Sequence, residues 1–417
     1  MNKKSEIGQA MIFIVIGFIV ILGFVGLAID GGMVFSDRRH AQNAADASSL
    51  AAGGKAALYL EDHGVNYTNW NCSMGQIATA MAQGRAAAVN RAATNEFTID
   101  QDISDFHGVS TQCAIYNYGA YIDKYIDITV WITTNTQGNF TRFLFNAPLT
   151  SRVQSVTRIR PRMPLAFGQT VVSLNSGGCS GQSNGITAHG NGNITVHYGG
   201  FFSNGCLRSN GGPYVASVDG GGISYAGELV GGEAFHPPAQ QAATSLPESS
   251  WHVDPPNCSH PDAHNVTGSE LKAASPLEPG LYCVTGDLNL NGNLTLEGTD
   301  ITIYMVDGGI SMNGGATVEI HAPGTYTDPK PAIPGILIFM APGNSSEVQI
   351  NGNADSQFTG TVYAPESNID VTGNGSPTGY ETQFIGWNVE VGGTSDTVLW
   401  YCSCMVYSKP TSLDLNR

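Results

Sequence analysis

A chain of 417 residues carries 34 acidic but only 18 basic side chains, for a formal net charge of −16, with 12% charged residues and 52 glycines. Low charge with abundant Gly is the composition of extracellular β-rich proteins rather than of cytosolic enzymes. The imbalance is also local. Residues 1–162 hold 13 Lys+Arg against 12 Asp+Glu and residues 163–417 hold 5 against 22, which predicts a domain boundary near Arg162-Met163-Pro164 and argues against nucleic acid as a partner, since phosphate neutralisation needs clustered Lys and Arg.

In chain order, a tail over residues 1–9 precedes Ala10–Ile29, twenty residues without a charge. As a helix this run is about 30 Å long, the thickness of a bilayer's hydrocarbon core. Ala10, Phe13, Phe18, Phe24 and Ile29 mark the expected membrane anchor. The run is longer than a signal-peptide core and lacks a small-x-small cleavage site, so a retained anchor is expected. Lys3 and Lys4 favour a cytoplasmic N-terminus and an extracytoplasmic body on a single-pass cell-membrane protein. Asp37–Ala52 reads as a helix leaving the membrane, with Gly53-Gly54 expected to stop or bend it. A second Ala-rich helix is expected over Met74–Thr94, and the small residues of both would let them pack tightly. Strands are expected at Tyr121–Ile132, Asn139–Phe145 and Arg152–Ile159. Together, 30–162 read as an α+β module of two helices and an antiparallel sheet.

The anchor ending in Asp30, followed by Gln42, Ala44, Ala45, Asp46, Ala47, Leu50, Ala51 and Ala52, resembles the N-terminal region of TadE/TadG-type proteins of the tight-adherence (Flp) pilus system. The resemblance implies a pilin-like module, other Tad subunits as partners, and a place in pilus assembly. Two departures matter. Prepilin-like members carry a Glu within the apolar run, at a position that is Phe13 here, which favours an uncleaved tether. The D-x-S-x-S metal motif of some members is absent from Asp46-Ala47-Ser48-Ser49 and from the rest of the chain.

From 163 to 410, short apolar stretches alternate with Asn/Gly turns at Asn191-Gly192, Asn291-Gly292, Asn313-Gly314, Asn351-Gly352 and Gly373-Asn374, with spacings near 22 residues. This period predicts a right-handed parallel β-helix, a solenoid with Leu288, Leu290, Leu294 and Leu296 inward; a β-sandwich with hairpins at the same turns is the alternative. Residues 335–392 also resemble β-helix segments that follow pilus-associated anchors. The Pro-, Ser- and His-rich stretch at about 235–280 is expected to loop off as an insertion.

Eight cysteines in an exported chain predict disulfides. Cys72–Cys113, Cys179–Cys206 and Cys258–Cys283 are the attractive sequential pairs; Cys402 and Cys404 stand too close for a comfortable bond and are expected to have separate partners or stay reduced. His236, His252, Asp254, Cys258, His260 and His264 could offer zinc or copper ligands, but their spacing fits no ligand pattern, and an exposed polar loop is the simpler reading. His189, beside Gly190, reads as a corner residue rather than a general base. No catalytic motif is present, so no catalytic, cofactor or metal residues are assigned and no enzyme is expected. The expected function is a membrane-anchored, surface-exposed structural component of Tad pilus assembly, with adhesion, surface glycans or self-association as further roles; a secreted β-helix carbohydrate-binding or carbohydrate-active protein is the alternative.

Overall fold

The structure, a computed structural model, describes residues 7–119, 121–143, 147–180, 184–313, 315–324, 331–352, 356–373 and 379–416. The tail over 1–6, and Gly314, Asn353, Asn374 and Gly375 among the turn residues, lie outside them. The chain divides into two compact units: Met1–Ile115, Lys124–Arg162 and Thr411–Arg417 form the first, and Tyr116–Asp123 with Met163–Pro410 form the second.

The first unit is built on helix α1 (Ile7–Asp62), 56 residues without interruption and about 84 Å long. Gly53-Gly54 does not stop it. Gly53 is buried where the helix meets the sheet, and a methyl built there would sit 2.5 Å from Thr157 Cγ2; at Gly54 nothing lies within 4 Å. The helix ends instead at Gly64, whose φ of +64° lets the Gly64 and Val65 N–H groups bond the Glu61 and Leu60 carbonyls. Helix α2 (Gly75–Thr94) buries Ile77, Ala80, Gly84, Ala88 and Ala92. Gly84 brings the helices together, since a methyl there would lie 3.2 Å from the Ala52 carbonyl oxygen.

Strands β1 (Gly108–Asn117), β2 (Ile122–Thr136) and β3 (Leu149–Arg160) form a sheet completed by the distant strand Ser412–Asn416, in that order. β2 and β3 pair antiparallel, as do β3 and the C-terminal strand, with Thr157 opposite Leu415. The stretch Asn139–Phe145, expected as a strand, instead holds a 3-10 turn at Thr141–Phe143, while Leu144 and Phe145 lie outside the described residues.

In the second unit the large sheets are parallel. One sheet orders Gln240–Gln241, Ile223–Tyr225, Phe201–Ser203, Val171–Ser173, Glu381–Gly386, Gln357–Ala364, Ile336–Met340, Ile301–Met305, Gly280–Thr285 and His264–Thr267 side by side. A second follows the same sense from Leu229–Val230 through Ile186–Gly190 and Val389–Gly393 to Leu288–Leu290. Contacts between neighbouring strands recur at 22 residues, as in Asp287 to Gly309 and His197 to Asp219. Leu288, Leu290 and Leu296 are buried between the sheets and Leu294 is half-buried. Where paired strands end in a turn the backbones come close. Gly190 has φ of +89°, and a methyl there would lie 2.1 Å from the Gly393 carbonyl oxygen, so only glycine fits.

The stack does not follow the sequence. Layers built from 264–400 come first and those from 171–241 continue them in the same direction, with Phe384 pairing Val171 and Val391 pairing Ala188 at the seam. The chain therefore enters and leaves this unit in mid-stack, where Met163-Pro164 pairs antiparallel with Ser408-Lys409.

The stretch at 235–280 is largely exposed, but it does not simply loop off the stack. Phe235 pairs with Val215 and is buried, and 264–273 form a strand and a short helix whose Leu271 reaches the core. Between them a strap runs back along the stack, burying Ala242, Leu246 and Val253 against Phe202, Tyr304, Phe339 and Tyr363. This covering explains two sequence textures. Strands under the strap are apolar on both faces, as in Ile336–Met340, whereas Val348–Asn351 and Ile369–Thr372 of the second sheet alternate buried and half-buried positions.

Candidate functional site

The apolar part of α1 is bare: Phe13 is 70% and Phe24 69% exposed, and Phe18 and Ile29 are exposed as well. Ala10 lies in the same helix. From Gly26, which is buried under Phe140, the helix begins to engage its own module. Asp30 is 1% exposed. Its Oδ1 accepts the Asn139 N–H at 2.7 Å, and its Oδ2 accepts those of Phe140 at 3.0 Å and Thr141 at 2.6 Å. Three consecutive N–H groups converge on one carboxylate because the chain turns at Gly138, where a methyl would sit 2.7 Å from Asp30 Oδ2. Two turns on, Thr136 Oγ1 donates to Asp37 Oδ2 at 2.5 Å.

The remaining family-type residues also face inward. Gln42 Nε2 donates to Asp46 Oδ1 at 2.8 Å and to the Gln154 carbonyl at 3.1 Å. Ala44 and Ala45 are buried, and Ser49 Oγ lies 2.8 Å from Ser155 Oγ and accepts from Thr157 Oγ1 at 3.0 Å. Leu50, by contrast, is 40% exposed. The small-residue faces of α1 and α2 are thus occupied by each other and by the sheet. This is the tight packing that their small residues led one to expect; Phe35, Leu50 and Leu58 are the large apolar side chains that α1 exposes beyond its apolar run. The partners of Asp30 were missed because Asn139–Phe145 reads as a strand; Gly138-Asn139, a turn pair, was the signal against it.

In the second unit, the sheet register sets Asp370 beside Glu390, with His189 on the next strand. His189 Nε2 lies 3.9 Å from Asp370 Oδ1. That carboxylate raises the His189 imidazole above its ordinary value of 6.5; burial opposes the rise and the charges of Asp370 and Glu390 reinforce it. Burial, then the charges of Asp370 and Glu390, push the Glu347 carboxyl up. Asp370, Glu390 and His189 thus lie on adjacent strands, with Glu347 just before the strand that pairs with Ile369–Thr372. A separate cleft of about 520 Å³ is lined by Asp300, His321, Gln357, Thr359, Glu381 and Met405, with His321 Nδ1 2.9 Å from Thr359 Oγ1.

The residues considered for metal binding are dispersed. Cys258 is bonded to Cys283, His236 stacks on Tyr214, and His264 stacks on Tyr282. His252 lies 3.3 Å from Asp254, and His260 3.6 Å from Asp262. Among the described residues, no three His, Cys, Asp or Glu are placed to hold a metal ion. Cys72 with Cys113 and Cys179 with Cys206 are also at bonding distance. Cys402 and Cys404, expected to stay apart, are bonded to each other. A turn over Ser403 brings their Cα atoms to 5.1 Å, within the range a disulfide spans.

Residues 8–57 match the family model for putative Flp pilus-assembly TadE/G-like proteins, and residues 244–395 match a domain of unknown function (DUF7305). The first match covers the bare helix and its docking face and supports a role in Tad/Flp pilus assembly. The second begins in the strap and ends at the last layer before the seam. No curated protein and no solved structure matches the chain.

Proposed function

We propose that this protein is a membrane-anchored, surface-exposed structural component of Tad/Flp pilus assembly. Its first nine residues are cytoplasmic, residues 10–29 span the membrane, and everything from residue 30 onward lies outside. The observation that carries this reading is the TadE/G-like match over a helix that is bare along most of its apolar length and docked from Gly26 and Asp30 onward. The second unit is then a right-handed parallel β-helix: its parallel strands, its 22-residue contact repeat and the strong right-handed preference of parallel crossovers support that form. Its acidic surface serves as a spacer or adhesive body without a catalytic role.

Membrane fractionation with N-terminal sequencing of the mature protein tests the proposal. An intact N-terminus in the membrane fraction, co-isolated with the pilus-assembly platform, is the expected result; recovery from sheared filaments with a start at Gln9 or Ala10 would defeat the tether. One observation favours a second reading, a carbohydrate-active protein: Asp370 and Glu390 stand side by side on paired strands with His189 3.9 Å from Asp370. Loss of polysaccharide cleavage in Asp370→Asn or Glu390→Gln would establish it, and absence of cleavage by the unaltered protein would dismiss it.

A further inference from the structure

Within residues 21–30 of α1, only Gly26 and Asp30 are buried. They lie one turn apart on one side of the helix, and a single loop covers both. The Phe140 ring rests on Gly26, where a methyl would sit 2.7 Å from its Cγ, while the N–H groups of Asn139, Phe140 and Thr141 bond Asp30. Gly26 is four residues back toward the middle of the apolar run, so the ring reaches about 6 Å deeper than the carboxylate.

We infer that the loop Gly138–Thr141 is a second membrane contact, a foot that sinks Phe140 into the leaflet through which α1 leaves the bilayer. This rests on the reading of α1 as a membrane span. With the helix in lipid, the exposed 46% of Phe140 at the level of Gly26 faces acyl chains rather than water. A loop at that depth must satisfy its backbone donors without water, and Asp30 does so for three in succession. The exposed Phe35, Arg38 and Arg39, a few residues beyond Asp30, complete an interfacial belt of aromatic and cationic side chains suited to lipid headgroups. The partner is thus the lipid surface, continuous with the lipid around the span.

No free cysteine is present among the described residues, so an introduced thiol can be labelled selectively. Full-length Phe140→Cys, Phe18→Cys and Tyr198→Cys, each carrying a polarity-sensitive fluorophore, would be reconstituted in phospholipid vesicles containing lipid-borne nitroxide quenchers. The label at 140 should be blue-shifted and quenched severalfold more than the label at the exposed Tyr198 position, by shallow nitroxides above all, and the label at 18 by deep ones. Adding Gly26→Val, which fills the seat of the ring, should cut quenching at 140 severalfold and leave 18 unchanged. If 18 is quenched while 140 behaves like 198, the foot is overturned and the span stands. If 18 also stays unquenched, span and foot fall together.

Discussion

A carboxylate at the end of an apolar helix is usually a topological marker, but Asp30 also organises a loop. Asp30→Ala would strand three N–H donors, so the first unit should melt at a lower temperature in detergent. Asp30→Asn, whose side-chain oxygen still accepts, should retain part of the difference; equal melting of all three proteins would show the bonds to be idle. His189 makes a prediction with a defined sign. Its folded-state value is raised, so its stabilising contribution is complete below about pH 6.5 and is lost as pH rises through the folded value. The unfolding midpoint of the second unit should fall as pH rises above about 6.5, and His189→Gln should flatten that slope. Glu347 has the opposite sign: a raised carboxyl costs stability when ionised, so Glu347→Gln should raise the midpoint at about pH 7 and lose its advantage on acidification.

At the scale of elements, Gly53 and Gly54 separate propensity from packing. Gly54→Ala, with open space around it, should stabilise the first unit by about 0.8–1 kcal/mol. Gly53→Ala drives a methyl into Thr157 and Leu413 and should cost about 1–3 kcal/mol; equilibrium denaturation of both variants decides the point. The same distinction marks what the sequence could convey. The long apolar run, the Ala-rich second helix and the strand around Val130 carry local patterns, and each is present in the structure. The recurrence near 22 residues was visible for the same reason, since every Asn/Gly turn and inward Leu is a local signal. The site was less legible. That Asp30 bonds residues 109 to 111 positions away follows from tertiary approach, which no periodicity encodes. Ser412–Asn416 is too short, and its Leu-Asp-Leu too ambiguous, to be recognised as the closing strand of a sheet begun 300 residues earlier.

For the whole molecule the decisive feature is the order of layers. Parallel pairing of Val391 with Ala188 joins residues some 200 positions apart, and only the strap makes that order possible by carrying the chain from one end of the stack to the other. The strap should therefore matter for stability out of proportion to its irregular backbone. Leu246→Ala should cost about 2–5 kcal/mol, and loss of the Cys258–Cys283 bond about 3 kcal/mol. Both would be read as shifts in the denaturation midpoint of the second unit, and surface-like values below 0.5 kcal/mol for Leu246 would contradict its burial.

The mid-stack seam also sets a timetable. In any N-to-C order of synthesis, residues 171–241 emerge with one edge bare, and 264–372 then assemble with a bare edge of their own. Neither edge finds its mate until residues 381–400 arrive between them. The same late stretch of chain then delivers Ser412–Asn416 to β3. Two unmatched edges that wait for one keystone make the fold a record of translation: a ribosome that stops early leaves a product whose open strands advertise the missing end to any protease that samples it.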